Sequence, residues 1–449
     1  MRIHFIAIGG SIMHSLAISL ARQGHQVSGS DDKVYDPAKS KLAAEGLLPS
    51  EMGWHPENID KDIEVVILGM HAFADNPELL KAQALGLTIY SFPEFIYAFS
   101  KHKQRMVITG SYGKSSVTAM IMHVLRYVGK TFDYLVGAQV PGFEQSVSLS
   151  EEAPLIVMEG DEYLSSKIDP NPKFLHYQPH ILVVTGISWD HINVFPSLKT
   201  YEEQFRRLLS TQAKASSIIY AKDDKVLSGM VKEYMVDEVH YPIPFSTPSY
   251  KVKEGVFSLK IEKKRTDLQV IGEHNMRNLA AAWEACKLVG IELSDFMEAV
   301  RSFRGANSRL ETIKHTPNSI VYKDYAHAPA KVGATVKAVR EQYPKRNFIA
   351  CLELHTFSSL TKSFLPEYKG TLDSADTKLI YINPETVAAK RLEAISEEEL
   401  QAAFSSTDLK LLNQKEDIIS SVQEKITGED VILMMSSGNF SGVELTNIG

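Results

Sequence analysis

The chain has 449 residues, 44% of them apolar and 23% charged, with a net charge of −7. That length predicts several domains, each able to bury a core, and the composition is that of a soluble globular protein. The acidic balance argues against nonspecific binding to nucleic acid. No apolar run approaches membrane-spanning length, and the two distant cysteines, Cys286 and Cys351, suggest neither a disulfide framework nor a zinc site.

Residues 3–8 read as a strand ending in Gly9-Gly10, and a helix follows with Ile12, Met13, Leu16, Ala17 and Leu20 on its buried side. A second strand, residues 26–30, ends at Asp31-Asp32. This is a dinucleotide-type β-α-β opening, with an acid placed to meet a ribose hydroxyl. Ala7 and Ile12 stand where the G-x-G-x-x-G fingerprint needs glycine, so the opening points to a nucleotide diphosphate on a helix start rather than to NAD. Strands at 63–68 and 87–90 complete a first α/β unit, and the polar run Ser100-Lys101-His102-Lys103-Gln104 reads as a linker. The first ten residues resemble a secretory signal only briefly, so a cytoplasmic location is expected.

The stretch R-M-V-I-T-G-S-Y-G-K-S-S-V-T, residues 105–118, organises the chain. The apolar Met106-Val107-Ile108 predicts a buried strand, and Gly110-Ser111-Tyr112-Gly113 a turn. Lys114-Ser115-Ser116 opens a helix with Val117, Met120, Ile121, Val124, Leu125 and Val128 on one face. Turn N–H groups and a positive helix end would cradle phosphate, with the lysine on the outer phosphates and the hydroxyl placed for Mg²⁺. The full P-loop pattern wants glycine where Ile108 stands.

The next strand, 154–158, delivers Glu159-Gly160-Asp161-Glu162 at its C-terminal end, where open parallel sheets place ligands and acids commonly hold Mg²⁺. A strand at 181–185 leads to Trp189-Asp190-His191, whose histidine could face the same metal. Residues 216–224 read as a further strand and turn, and 230–270 as a peripheral β-rich segment. His274, Asn275 and Asn278 cluster at the start of an alanine-rich helix over 279–288, where asparagine could cap the helix or read a nucleobase edge. A boundary falls near 303–311. Beyond it, strands at 320–322, 348–352, 379–382 and 431–435 end in polar clusters, among them Asp324-Tyr325-Ala326-His327, Glu353-Leu354-His355 and the run from Ser436 to Gly442. A third α/β unit presenting one edge to a ligand is predicted.

Three α/β units around a modified phosphate loop resemble the Mur ligase superfamily, ATP-dependent amide-forming ligases of peptidoglycan synthesis. Six motifs carry the resemblance in order: T-G-x-x-G-K-[ST] at 109–115, E-x-D-E at 159–162, Asp190-His191, G-x-H-N-x-x-N-x-x-A-A at 272–282, F-x-G-x-x-x-R-[FL]-E at 303–311 and D-Y-A-H-x-P at 324–329. Lys323 and Ala328 depart from the family pattern. The resemblance implies a three-domain α/β architecture: a Rossmann-like UDP-sugar domain (1–102), a P-loop ATPase-like central domain (103–306) and a Rossmann-like acceptor domain (307–449).

It implies ATP and Mg²⁺ as cofactors. Catalysis would rest on Lys114, Glu162 and His191, and the metal would be held by Ser115, Glu162 and His191. ATP would meet Gly110, Ser111, Tyr112, Gly113, Lys114, Ser115, Ser116, His274, Asn275, Asn278, Arg309 and Asp324. UDP-N-acetylmuramate would meet Gly9, Gly10, Ser11, Ile12, Met13, His14 and Asp31. His327, His355, Ser436, Asn439 and Phe440 would face the acceptor.

The implied chemistry joins the sugar nucleotide's carboxylate to an amine through an acyl phosphate. The acceptor is the murein tripeptide L-alanyl-γ-D-glutamyl-meso-diaminopimelate or, alternatively, L-alanine. Members that take L-alanine usually carry Pro-His-Arg where this chain has Leu354-His355-Thr356, and losing that arginine suggests a changed acceptor pocket. A non-catalytic relative would have lost metal or phosphate residues, whereas Lys114, Ser115, Glu162 and His191 are all present. No membrane, nucleic acid or obligate protein partner is implied.

Overall fold

The computed structural model describes the chain except His71, Lys167, Asp190, His191, Asn193, residues 213–214, 235–239 and 307–309, and Gly449. Strands and helices alternate through most of the chain, which builds mainly parallel sheets. The N-terminal sheet is wholly parallel, in the spatial order Gln26–Ser30, Arg2–Ile6, Val65–Leu68, Thr88–Ser91. The central sheet has seven strands, in the order Tyr241–Phe245, Ser217–Ala221, Ile181–Val184, Gln104–Thr109, Leu155–Glu159, Asp133–Leu135, Val147–Ser148, with only the last antiparallel. A small antiparallel sheet, Tyr250–Lys253, Val256–Ile261 and Lys264–Leu268, flanks it. The C-terminal sheet runs Glu311–His315, Ser319–Asp324, Asp430–Met435, Asn347–Glu353, Thr377–Tyr381, Leu409–Leu412, antiparallel only at its first pair.

The phosphate-loop strand lies third from one edge of the central parallel stack and is buried on both faces, which explains its unbroken apolar run. One apolar core runs continuously from the N-terminal sheet (Ile3, Phe5, Leu16) into the central one (Met106, Val107, Met120). The C-terminal sheet has its own cores, one on each face. Its contact with the central unit is thin and mixed. Trp189 packs edge-on against Phe364 at 5.6 Å between ring centres, Lys337 pairs with Glu273 at 2.6 Å, and the Tyr250 hydroxyl donates to Glu341 at 2.9 Å. Among the described residues no helix is long and apolar enough to cross a membrane.

Several boundaries differ from the sequence reading. The first strand stops at Ile6, because Ala7 turns out with a positive φ of 69°. The alanine-rich helix begins earlier than expected, at Glu273, so His274, Asn275 and Asn278 lie inside its first turns. Its N-cap is Gly272, and neither asparagine caps it. The segment read as β-rich from 230 is still helix up to Tyr234 and becomes strand at Tyr241. The short strands Asp133–Leu135, Val147–Ser148, Glu311–His315 and Leu409–Leu412 had no strong alternation to announce them.

Candidate active site

The phosphate loop forms as its residue types require. Gly110 has φ 125°, and a Cβ there would lie 2.3 Å from Thr185 Oγ1. Gly113 caps the helix Lys114–Tyr127 with φ 80°, and a Cβ would lie 2.6 Å from Asn278 Oδ1. Only glycine fits either place. Asn278 is thereby set against the loop from the neighbouring helix, although the two segments lie far apart in sequence.

The loop's side chains close a network with the acids of the next strand. Lys114 Nζ donates to Gly110 O at 2.6 Å and to Glu162 Oε2 at 2.8 Å and Oε1 at 3.1 Å. Ser115 Oγ donates to Glu159 Oε1 at 2.7 Å, while Glu159 Oε2 accepts from Gly137 N at 2.8 Å. Ser111 Oγ lies 2.9 Å from the Tyr201 hydroxyl, which donates to Glu162 Oε1 at 3.2 Å. Glu162 and Tyr201 are wholly buried. Ser116 stands in the first helical turn, and the Arg277 guanidinium lies 5.8 Å from the centre of the Tyr112 ring.

Burial pushes the Glu159 carboxyl up, and the neighbouring Asp161 charge adds to it, against the pull of Lys114. Burial disfavours the Lys114 ammonium, but the charges of Glu162, Asp161 and Glu159 outweigh it and raise its pKa. The ammonium thus neutralises a pocket of acids. Ser115, Glu159 and Glu162 are an all-oxygen donor set, which suits a hard cation such as Mg²⁺, and the open turn N–H groups and Lys114 suit phosphate. His191 lies outside the described residues, and among those described no group of three metal-binding side chains stands complete.

On the adenine side suggested by sequence, Asn275 Nδ2 donates to Ile271 O at 2.8 Å and is held to its own helix start. His274 Nδ1 is sealed from solvent without a partner among the described residues. Burial lowers its pKa to about 4, so the ring is neutral at ordinary pH. Arg309 is outside the described residues. Asp324 is buried and accepts from Leu310 N and Ala326 N, both at 2.6 Å, which ties its carboxylate to the hinge backbone.

At the N-terminal turn, Gly9 N donates to Asp31 Oδ2 at 2.7 Å, so Asp31 braces the turn. His14 is buried beside Gly10 O, 2.9 Å from its Nδ1, and burial lowers its pKa. Ser11 is exposed at the rim, Gly10 and Ile12 are half-buried beside it, and Met13 turns into the core. Behind them Glu78, fully buried, accepts from His55 N at 2.7 Å, from Ser30 Oγ and from His4 at 3.3 Å.

In the C-terminal unit, Ser436 N donates to Asp324 O at 2.9 Å, so the ends of neighbouring strands meet. Glu353, 2% exposed, accepts from Ser436 Oγ and from Phe440 N at 2.9 Å, and His355 Nδ1 lies 3.8 Å from its other oxygen. Asn439 is exposed. The Phe440 ring is fully buried and stacks on Tyr381 at 6.4 Å, so it offers an acceptor only its backbone. His327 Nδ1 is 2.8 Å from Tyr325 O at the same edge.

Sequence reasoning placed Glu159 among the strand-end acids that could hold Mg²⁺ without singling it out as the partner of Ser115, and gave no role to Glu353, Tyr201 or Glu78. Glu353 could have been found, as another acid ending a buried strand. Tyr201 and Glu78 sit on helices with nothing local to mark them.

Three family descriptions match the chain in series: "Mur ligase family, catalytic domain" over 2–104, "Mur ligase middle domain" over 108–286, and "Mur ligase, glutamate ligase domain" over 308–438. A UDP-N-acetylmuramate–L-alanine ligase of Aquifex aeolicus is 27% identical, with 98% of this chain and 95% of that one covered. The UDP-N-acetylmuramate–L-alanyl-γ-D-glutamyl-meso-2,6-diaminoheptandioate ligase of Escherichia coli is also 27% identical, covering 99% of this chain and 96% of that one. The crystal structure of a UDP-N-acetylmuramate–alanine ligase from Thermotoga maritima shares the fold with a TM-score of 0.71 at 20% identity, over 100% of this chain and 97% of that one. Matched along its length by all three descriptions, the chain belongs to the Mur ligase family, ATP-dependent ligases that form C–N bonds in peptidoglycan precursors.

Proposed function

We propose that this ligase joins the carboxylate of UDP-N-acetylmuramate to the amine of L-alanyl-γ-D-glutamyl-meso-diaminopimelate at the expense of ATP. The observation that carries the choice of acceptor is the character of the 353–356 turn. Free L-alanine bears a carboxylate next to its nucleophilic amine, and a site for it needs a cation there. In the peptide that carboxyl is an amide and carries no charge. At the turn, Thr356 Oγ1 donates to Ser359 Oγ at 2.9 Å and accepts from Ser359 N at 3.1 Å, and its neighbour Glu353 is an acid. This turn suits an uncharged peptide group better than a carboxylate.

The phosphoryl chemistry is chiefly positioning and charge neutralisation. The turn N–H groups and Lys114 would hold the outer phosphates, with Lys114 leaving Glu162 to do so. Ser115, Glu159 and Glu162, with His191 from the sequence motif, would hold Mg²⁺, whose charge allows two anionic reactants to approach. Gly10, Ser11 and His14 would receive the sugar nucleotide, with Asp31 fixing their turn. The lactyl carboxylate would take the γ-phosphoryl group as an acyl phosphate, which the peptide's amine attacks with loss of phosphate. Closure of the C-terminal unit over its thin contact with the central one would keep water from that intermediate.

The test is phosphate release from Mg·ATP and UDP-N-acetylmuramate with either acceptor. Strong release with the peptide and little with L-alanine is expected. The reverse pattern makes the chain an L-alanine ligase, a reading that its equal identity to both kinds of relative also supports.

A further inference from the structure

Burying a carboxylate stabilises a protein only when its oxygens are paired, so each oxygen of Glu353 can be accounted for. Oε2 is saturated by Ser436 Oγ and by Phe440 N at 2.9 Å. Oε1 receives no hydrogen bond among the described residues, and His355 Nδ1 stands 3.8 Å from it, outside hydrogen-bond reach. In the turn that follows Ser436, Ser437 Oγ is sealed from solvent and lacks a partner among the described residues. Gly438 completes the arrangement. A Cβ there would lie 3.0 Å from Glu353 Oε2 and 3.2 Å from the His355 ring, so glycine lets the turn pass close to both.

One negative charge on a single open oxygen matches a small monovalent cation with N–H donors. A divalent metal would want more anionic oxygens. We propose that Glu353 Oε1 receives an ammonium group of the acceptor. This rests on the peptide-ligase reading above and extends it. The acceptor carries an N-terminal ammonium, which must lose its proton before attack, and a distal ammonium on its diamino acid. Glu353 recognises the group the two share.

The test is Glu353→Gln, which keeps an oxygen for Ser436 and Phe440 while removing the charge. The KM for the peptide rises about tenfold or more, as expected for a lost charge-assisted bond, while the KM values for ATP and UDP-N-acetylmuramate stay within about twofold. Two further peptides, with lysine or norleucine in the third place, locate the ammonium. An equal effect on both assigns the N-terminal group, and an effect confined to the lysine peptide assigns the distal one. An unchanged peptide KM overturns the proposal. So does a parallel rise in all three KM values with a lowered melting temperature, which would make Glu353 only a brace for the turn. If Glu353→Gln does not fold, Glu353→Asp, which keeps the charge but withdraws the oxygen, is read in the same way. Calorimetric titration of the peptide onto wild type and variant needs no turnover. Absence of phosphate release with either acceptor would therefore sink the functional reading, while the two Kd values still judge Glu353.

Discussion

The C-terminal ends of the central and C-terminal sheets make an instructive pair. At the central sheet the described groups of the phosphate loop and the neighbouring strand end meet one another: Lys114 is met by Glu162, Ser115 by Glu159, Glu159 by Gly137 N. At the C-terminal sheet, among the described residues, Glu353 Oε1 receives no hydrogen bond and Ser437 Oγ has no partner. The first end is closed on itself, so phosphate and metal must exchange places with contacts already made. The second is incomplete, and a substrate would finish it. Chemistry common to a family can be pre-wired in this way. Acceptor choice depends on a few groups left open.

The largest expected effect lies at the closed end. Lys114→Met should lower kcat by about a hundred- to a thousandfold, as removing a preorganised charge at a transferring phosphoryl group does. It should also take from the buried Glu162 its ammonium partner while the Tyr201 hydroxyl stays, at about 3–5 kcal/mol of folding stability. Denaturant unfolding and phosphate release measure the two losses separately. A variant of unchanged stability would show that Glu162 is not balanced by this lysine, and the picture of a closed end would fall.

A smaller effect comes from pH. The folded pKa of His274, about 4, lies below its ordinary 6.5 because burial disfavours the imidazolium. As pH falls from 6.5 towards 4, the unfolded chain binds a proton that the folded chain refuses, so stability drops across that window. The drop is at most about 3 kcal/mol, and less to the extent that the ring edge meets water. His274→Gln should flatten this limb of the stability–pH curve, measured by urea unfolding at several pH values. An unaltered limb would place the acid sensitivity elsewhere.

At the open end, Thr356→Arg should put a cation beside the acceptor's amine. We expect kcat/KM for L-alanine to rise about tenfold, the worth of one charge-assisted pair, while that for the peptide falls. Competition between the two acceptors in one assay reads the ratio directly. A fall for both would mean that the turn around Ser359 has collapsed and that its shape, rather than its charge, selects the acceptor.

The two ends also differ in how far sequence disclosed them. The phosphate loop was legible because its glycines answer to local sterics and its strand and helix to periodicity. Each signal lies within a dozen residues. The acids at 159–162 were legible as a strand end, but which one meets Ser115 depends on the register between strands Gln104–Thr109 and Leu155–Glu159. Ala7 was recognised as a missing glycine, yet that it keeps the glycine's left-handed backbone, φ 69°, only the fold reveals. Glu353 was visible as a residue and invisible as a site. Its partners, Ser436 and Phe440, come from the turn after strand Asp430–Met435, 83 and 87 residues on, brought alongside by sheet order. Phe440 was read as an acceptor contact, and its burial against Tyr381 depends on that same long-range packing.

The smallest effect tests whether the closed end behaves as one network. The Tyr201 hydroxyl touches both Ser111 of the phosphate loop and Glu162. In Tyr201→Phe the ring still fills its place against Phe195 and Phe205, so packing is kept and only the hydroxyl is lost. Ser111 Oγ would still accept from Ser188 N, and Glu162 would still hold Lys114. The direct loss is therefore one buried hydrogen-bonding group, about 1 kcal/mol of stability. If the network also sets the loop's position for nucleotide, the KM for ATP rises a few-fold while that for the acceptor does not move. Ser111→Ala and the double variant complete a cycle. A coupling energy indistinguishable from zero would mean that Tyr201 merely fills space, and that Lys114 and Glu162 hold the loop without it.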